Sequence, residues 1–174
     1  MSWIRRNWGY VAAALAIAAT VHVASVALLP RLVMMRAFSL MTRNGGFNTM
    51  THGRPITAAS RAVVRPSPDL LYSTCPYDLG PAGARLRVHA RAMPDTYWSV
   101  SLFDAETDNF YVLDDRHAKG RGFDLTIVGP GSAAPGIRSP TARGVVLIRT
   151  LIDDEKRLAQ IDAARRGAEC NLLN

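Results

Sequence analysis

The sequence contains one uncharged stretch that is long enough to cross a lipid bilayer. Gly9 to Leu29 (GYVAAALAIAATVHVASVALL) is 21 residues without a formal charge. As a helix rising about 1.5 Å per residue it would be about 31 Å long, which matches the hydrocarbon core of a membrane. A buried helix of a small globular domain rarely needs so many consecutive apolar residues. The stretch therefore predicts a transmembrane helix over residues 9–29.

A cleaved signal peptide is the alternative to a retained span. Arg5 and Arg6 supply the charged start of such a peptide, and Ser25-Val26-Ala27 offers small residues at the two positions that a signal peptidase reads. The apolar region of a signal peptide, however, usually has only about 7 to 15 residues. The length of this stretch therefore favours a helix that stays in the membrane.

The charges on either side of the span do not by themselves decide its orientation. Arg5 and Arg6 precede it, whereas Arg31, Arg36 and Arg43 follow it. Long domains cross the membrane largely regardless of flanking charge, and a short basic N-terminus is typical of a signal anchor. We therefore expect residues 1–8 to lie in the cytoplasm and the rest of the chain after the span to lie outside it.

The positive charge of the protein is concentrated next to the span. The chain has 21 Lys and Arg residues against 14 Asp and Glu residues, a formal charge of +7. Eight arginines and no acidic residue precede Asp69, so residues 69–174 hold 13 basic and 14 acidic residues. This favours anionic lipid headgroups as a partner, since each arginine near a charged surface contributes about 1 kcal/mol. The nearly neutral remainder argues against nucleic acid.

Residues 30–68 are predicted to form an amphipathic helix followed by a linker. Pro30 can end or kink the spanning helix. Residues 31–43 (RLVMMRAFSLMTR) keep their polar residues at helical spacing, which fits either a helix in the membrane interface or one packed on its own domain. Residues 44–46 (NGG) would end this helix. Residues 47–68 are polar and contain three prolines, as expected of a connecting segment.

From Asp69 onward the hydrophobic pattern changes from helical to alternating. We expect strands over residues 70–79, 85–91, 96–104, 109–113, 123–128 and 144–150, a loop over residues 129–140 and a helix over residues 153–166. Residues 144–150 are almost continuously apolar, which is typical of a central strand. The fold class is therefore mainly β. Residues 69–174 should form a small antiparallel β-sandwich or partial barrel with a C-terminal helix.

Cys75 and Cys170 are the only cysteines in the sequence. They are too few and too widely spaced for a zinc site. Outside the cytoplasm they could form one disulfide that ties the C-terminal tail to an early strand. They could equally remain two free thiols, because the sequence does not show whether they meet in space.

One strand carries the candidate ligand-binding residues. Arg85, Arg87, His89 and Arg91 alternate with apolar residues and give this strand one cationic face. With Tyr97 from the next strand, this face could line a pocket for an anionic ligand or an acidic partner. The simpler alternative is the solvated outer face of a sandwich.

The remaining polar groups predict no metal, cofactor or catalytic site. The histidines are scattered and lack the spacing of metal ligands. Five carboxylates surround one hairpin: Asp104, Glu106, Asp108, Asp114 and Asp115. Such a group could act in acid–base chemistry or hold calcium, but a hairpin loop is where solvated acids normally lie. We therefore expect these carboxylates to be exposed.

Short motifs in the β-rich part resemble a known bacterial family. They are Asp69-Leu70-Leu71-Tyr72 with Asp78-Leu79, Tyr97-Trp98 leading to Asp104, and Ser139-Pro140-Thr141 leading to Val146-Leu147-Ile148-Arg149-Thr150. Together they cover roughly residues 69–155 and resemble the family catalogued as domain of unknown function twelve-fifty-four. The resemblance implies a β-rich exported domain, hence a periplasmic one on a bacterial inner-membrane anchor. The family has no agreed activity, so the resemblance implies no catalytic residue.

The resemblance also implies a partner. Many members of that family continue into a second β domain, of the companion family twelve-fourteen, for which this sequence leaves no room. A separate protein is therefore expected to supply it. Cys75-Pro76 stands where longer members usually show an unremarkable small residue.

Three functions of different classes follow from these observations. The first is a membrane-tethered binding or accessory module that acts with a separate partner domain. The second is an exported enzyme whose site would use Tyr72, Tyr97, Asp104 and Arg149. The third is a lipid-interacting envelope protein that acts through its N-terminal arginines and amphipathic helix. We favour the first, because the single span and the lack of a catalytic motif both agree with it.

Overall fold

Two helices and nine strands make up the described part of the chain. The computed structural model describes residues 6–57, 66–80, 84–118 and 122–173, so Arg5, residues 58–65 of the predicted linker and residue 174 lie outside it. The elements are α1 (Trp8–Met41), β1 (Thr51–His52), β2 (Leu70–Asp78), β3 (Arg85–Ala90), β4 (Trp98–Asp104), β5 (Asn109–Asp114), β6 (Phe123–Val128), β7 (Ile137–Arg138), β8 (Arg143–Leu151), α2 (Leu158–Arg165) and β9 (Ala168–Leu173).

Helix α1 is long and apolar enough to cross a membrane, and its most apolar stretch is not buried against the protein. It continues without a break through Pro30, so the expectation that residues 9–29 and 31–43 form two separate helices is wrong. A proline removes a single backbone donor, and its neighbours here, Leu29 and Arg31, are both residues that favour a helix. Such a helix tolerates an internal proline. At about 1.5 Å per residue its 34 residues extend roughly 51 Å.

The last turns of α1 pack on the β domain. Met34, Ala37 and Phe38 are buried, and they form a cluster with Val145 on the outer face of β8. One turn earlier, the Arg31 guanidinium donates two hydrogen bonds to Glu106 Oε1, at 3.0 and 2.6 Å. Of the two alternatives for this segment, the structure therefore has the helix packed on its own domain.

The β domain is a sandwich, as the hydrophobic pattern predicted. One sheet has the order β1-β2-β8-β4-β5 and the other has the order β7-β6-β3-β9. The six predicted strands are confirmed, and β8 lies inside its sheet between β2 and β4. The core between the sheets contains alternate residues of facing strands, for example Leu86 and Val88 of β3 and Val100 of β4.

The C-terminal part differs from the prediction in two ways. The helix is shorter than residues 153–166, because a 3₁₀ turn (Glu155–Arg157) precedes α2. After α2 the chain forms β9, which was not predicted and which pairs with β3 so that Cys170 lies opposite Val88. Strand β9 (AECNLL) has only six residues and is separated from the end of α2 by two residues, so its alternation is too short to stand out beside the helical pattern. The short strand β7 also lies within the predicted loop.

A disulfide connects the two sheets. Cys75 of β2 and Cys170 of β9 are bonded, and both are buried in the core. The cross-link closes a loop between residues 95 positions apart. For a loop of about 100 residues, the chain-entropy estimate of such stabilisation is about 4.7 kcal/mol. The disulfide therefore fixes the last strand to the rest of the sandwich.

Asp104 does not follow the expectation that the hairpin carboxylates are exposed. It is 4% exposed, and its Oδ1 accepts hydrogen bonds from the backbone N–H groups of Glu106 and Asp108, at 2.8 and 2.9 Å. These bonds close the β4–β5 turn, in which Thr107 has a φ of 75°. The carboxylate replaces backbone partners that a tight turn cannot provide.

A buried arginine fastens α2 to the sandwich. The Arg165 side chain is 0% exposed and forms an ion pair with Asp162. Its Nη1 donates to Tyr72 O at 3.0 Å and to Ser73 Oγ at 2.8 Å, and its Nη2 donates to Gly53 O at 2.5 Å. One guanidinium thus joins α2, β2 and the segment after β1.

We predict that Arg165→Ala lowers the free energy of unfolding by about 3 kcal/mol, because carbonyls and a carboxylate lose a buried charged partner. The matched control is Arg166→Ala. Arg166 is the next residue along and also pairs with Asp162, at 2.7 Å, but its side chain is 47% exposed. The control should cost less than about 1 kcal/mol. Thermal unfolding of both variants in nanodiscs measures the difference. Equal losses of stability in the two variants would contradict the conclusion that Arg165 fastens α2 to the sandwich.

His52, which lies beside Ser73 in the same cluster as Arg165, makes the stability of the fold depend on pH. Its Nδ1 lies 2.8 Å from Ser73 Oγ. Burial, and then the nearby Arg165 and Arg166 guanidinium groups, hold the pKa of His52 below its usual 6.5. The folded protein therefore binds this proton more weakly than the unfolded chain does, so stability is full above pH 6.5 and declines as the pH falls below it.

We expect the melting temperature of the wild-type protein to fall between pH 7 and pH 5, and His52→Gln to reduce that fall because glutamine does not titrate. The control is His117→Gln, because this imidazole is 81% exposed and bonds to Asp114, away from Arg165, so its replacement should not reduce the fall. Differential scanning calorimetry across this range is the measurement. If the melting temperature falls equally in the wild type and in His52→Gln, His52 is not the cause of the pH dependence.

Candidate functional site

The cationic strand face lines part of an open groove of about 730 Å³. Arg87 and His89 reach it from β3, and Arg91 reaches it from the residue that follows the strand. Residues around the end of β5 and the start of β6, the strand next to β3, also line it. They include Leu113, His117, Ala118, Phe123 and Asp124. The groove therefore combines charged and polar groups with apolar side chains from β5 and β6.

Two of the five predicted ligand residues lie outside the groove. Arg85 is at the far end of β3, where its neighbours in the sheet are Val128 and Leu173. Tyr97 precedes β4 and is 43% exposed, and its backbone carbonyl accepts a hydrogen bond from the Leu151 N–H. The structure thus brings Arg87, His89 and Arg91 together and leaves Arg85 and Tyr97 apart from them.

Carboxylates from neighbouring strands neutralise much of the cationic face. Strands β6 and β9 place Asp124 and Glu169 on either side of His89. Arg87 Nε and Nη2 donate to the two oxygens of Asp124 at 2.9 and 2.6 Å, and these bonds hold the pKa of Asp124 below its usual value. His89 Nε2 is 3.8 Å from Glu169 Oε2. An anion that bound at Arg87 would have to compete with Asp124.

Arg91 is the cation that the groove leaves open. It is exposed, and no hydrogen bond or ion pair joins its side chain to any residue that the structure describes. His89 Nδ1 is also buried without a hydrogen-bond partner in the described chain. Phe123, whose ring lies 5.6 Å from that of Trp98, forms a fixed apolar surface nearby. This arrangement suits an anion attached to an apolar body.

His117 belongs to the groove but was not singled out by the sequence. Its Nδ1 lies 2.6 Å from Asp114 Oδ1, and this hydrogen bond holds the pKa of Asp114 below its usual value. His117 and His89 are far apart in the sequence but line the same groove. The residue pattern of one strand does not show which distant residues share a groove with it.

The Ser73–His52 pair also escaped the sequence pattern, and its geometry resembles a nucleophile beside a base. Ser73 is only 1% exposed, however, and its Oγ already accepts a hydrogen bond from Arg165 Nη1. A serine nucleophile must reach a substrate and keep its lone pair free. The pair is therefore a buried structural link, and it is not a catalytic site.

The four residues of the predicted enzyme site do not converge. Tyr72 and Arg149 are cross-strand neighbours on β2 and β8. Arg149 Nη2 donates to Ser101 Oγ at 2.9 Å, and Tyr72 Oη accepts from the Ser67 N–H at 2.9 Å. Asp104 lies at the opposite end of β4 from Tyr97 and serves the hairpin turn. Among the described residues, no group of three or more His, Cys, Asp or Glu side chains could hold a metal ion.

Comparison with solved structures shows the fold in another bacterium. The VPA0106 protein of Vibrio parahaemolyticus is similar, with a TM-score of 0.59 and 10% identity, over 86% of this chain and 37% of that one. An uncharacterized protein from Burkholderia cenocepacia has a TM-score of 0.49 and 17% identity, over 81% of this chain and 39% of that one. This chain thus spans well under half the length of either protein.

Comparison with curated proteins gives no match. The family described as "Protein of unknown function (DUF1254)", in contrast, matches residues 47–171. The match begins at Phe47, just after α1, and extends to Asn171 in β9, so it includes both sheets and the disulfide. It confirms the resemblance that the short motifs predicted. This chain therefore belongs to the DUF1254 family, whose members have no assigned function, and it carries an apolar helix ahead of the family domain.

Proposed function

We propose that this protein is a single-pass protein of the bacterial inner membrane that holds a binding module in the periplasm. In this arrangement residues 1–8 lie in the cytoplasm and the sandwich lies outside it. The observation that carries the proposal is that α1 is both apolar enough to span the membrane and docked on the domain. The same helix that is exposed from Trp8 to Leu29 buries Met34, Ala37 and Phe38 on the sandwich.

The disulfide supports the periplasmic side. Cys75 and Cys170 are bonded between the two sheets and are 0% and 3% exposed. Disulfides form and persist in oxidising compartments such as the bacterial periplasm, and they are rare in the cytosol. A domain whose last strand is held by such a bond is suited to folding after export.

The groove supports a binding role. Arg91 offers a cation that no described residue pairs with, and Leu113 and Phe123 line the same opening of about 730 Å³ with apolar side chains. The ligand class that fits is an organic anion, with a carboxylate or phosphate on an apolar body. No cofactor is needed for such a role.

A separate protein is proposed as the functional partner. The part of the Vibrio protein that matches this chain is 37% of its length, so in that relative the fold accompanies a larger remainder. We propose that a partner carrying a domain of the companion twelve-fourteen type takes that place here. Anionic lipid headgroups are the second partner. Arg36 and Arg43 are exposed on and just after α1, whereas Arg31 is already engaged by Glu106.

The orientation can be tested with reporters fused after Asn174. We expect alkaline phosphatase to be active there and green fluorescent protein to be dark, because the first folds only in the periplasm and the second only in the cytoplasm. The same reporters placed before Met1 provide the control and should give the opposite result. A fluorescent C-terminal fusion, or a mature chain recovered free of the membrane, would contradict the proposal.

The groove can be tested with phenyl phosphate, an anion on one aromatic ring. Isothermal titration calorimetry of the full chain in nanodiscs should show saturable binding. Arg91→Gln should weaken it about tenfold, because about 1.4 kcal/mol of charge-assisted hydrogen bonding is lost. The charge-matched control, Lys156→Gln, removes an exposed cation outside the groove and should not change the affinity. No binding, or equal weakening in both variants, would contradict the assignment.

A further inference from the structure

The exposed apolar surface of α1 does not stop where the predicted span stops. Leu28 and Leu29 are 53% and 59% exposed, and beyond Pro30 the side chains of Leu32, Val33 and Met35 are 54%, 41% and 58% exposed. At 3.6 residues per turn, positions 28, 32 and 35 lie on one face of the helix. The stripe therefore continues past Pro30 without interruption.

The opposite face of the same turns is covered by protein. Met34, Ala37 and Phe38 pack with Val145 and against Met41, Phe47 and Ala105. The segment after Pro30 thus has one face on the sandwich, while the apolar side chains of Leu32, Val33 and Met35 remain 41–58% exposed among the described residues. In water, an open apolar stripe of this kind would cost about 25 cal/mol for each Å² that it exposes.

We propose that lipid covers this stripe, so that the bilayer reaches Met35 and the β4–β5 turn lies at the membrane surface. This inference rests on the proposed membrane anchoring. Continuity favours lipid over a protein partner, because the stripe is the direct extension of the face that the span presents to the bilayer. The 27 residues from Gly9 to Met35 measure about 40 Å as a helix, which is longer than the hydrocarbon core of about 30 Å. The helix is therefore tilted.

The charged residues of this segment agree with an interfacial position. Arg31 lies between the apolar positions, and its long side chain reaches Glu106 at 2.6 Å. An arginine at this depth normally extends its charged end toward the headgroups. Here that end is held by a carboxylate of the β4–β5 turn, which places Glu106 at the same level. The turn between Asp104 and Asp108 is then the part of the sandwich nearest the lipid.

Fluorescent labels on introduced cysteines test the position of the stripe in the full chain. The two native cysteines are bonded to each other and no free cysteine is present, so Leu32→Cys and Met35→Cys each offer one reactive thiol. Ser39→Cys is the matched control, one turn further on the same face and exposed. Leu15→Cys, in the middle of the span and 66% exposed, reports anchoring itself. Each variant carries an environment-sensitive dye and is reconstituted in liposomes.

We expect the dyes at residues 32 and 35 to show blue-shifted emission, to be quenched by nitroxide-bearing phospholipid and to be protected from aqueous iodide. The dye at residue 39 should respond to iodide. Iodide quenching of the dyes at residues 32 and 35, together with lipid quenching of the dye at residue 15, would overturn lipid cover of the stripe and leave the membrane anchoring intact. Protection from both quenchers at 32 and 35 would also overturn it, since it would place a protein partner on the stripe. Loss of lipid quenching at residue 15 would overturn the anchoring as well.

Discussion

The packing of α1 on Val145 is the contact on which the arrangement of this protein depends. An apolar helix followed by a flexible linker would leave the domain free to turn above the membrane. Here Met34, Ala37 and Phe38 are buried on the outer face of β8, and Arg31 contacts the β4–β5 turn. The apolar helix and the sandwich therefore meet in a defined geometry. With α1 in a bilayer, as proposed above, a ligand of the domain would bind at a set height and orientation relative to the lipid.

The sandwich is held by a few buried polar groups as well as by its apolar core. Arg165 joins α2 to β2 and to the backbone at Gly53, and Asp104 closes the β4–β5 turn. Each is enclosed in a site where removal would leave several donors or acceptors without partners. Sequence patterns place charged residues at the surface, which is correct on average. These two residues are exceptions because local backbone groups need a partner that the regular sheet does not supply.

The groove shows how strand pairing changes the meaning of a sequence pattern. On β3 alone, Arg85, Arg87, His89 and Arg91 form a cationic row. In the sheet, Asp124 and Glu169 lie beside that row and pair with its members. Among the described residues of that row that line the groove, Arg91 is the one without an ion-pair partner. Charge complementarity across strands depends on register, and register cannot be read from one strand.

The sequence by itself determined the apolar helix, the mainly β fold and the family, because these follow from the length of an uncharged stretch, from alternation along each strand and from short ordered motifs. It could not show that α1 continues through Pro30, that β9 completes the second sheet, or that Cys75 and Cys170 meet across a separation of 95 residues. Those outcomes depend on contacts between distant segments. Local periodicity describes which face of an element is apolar, and only the tertiary structure decides what covers that face.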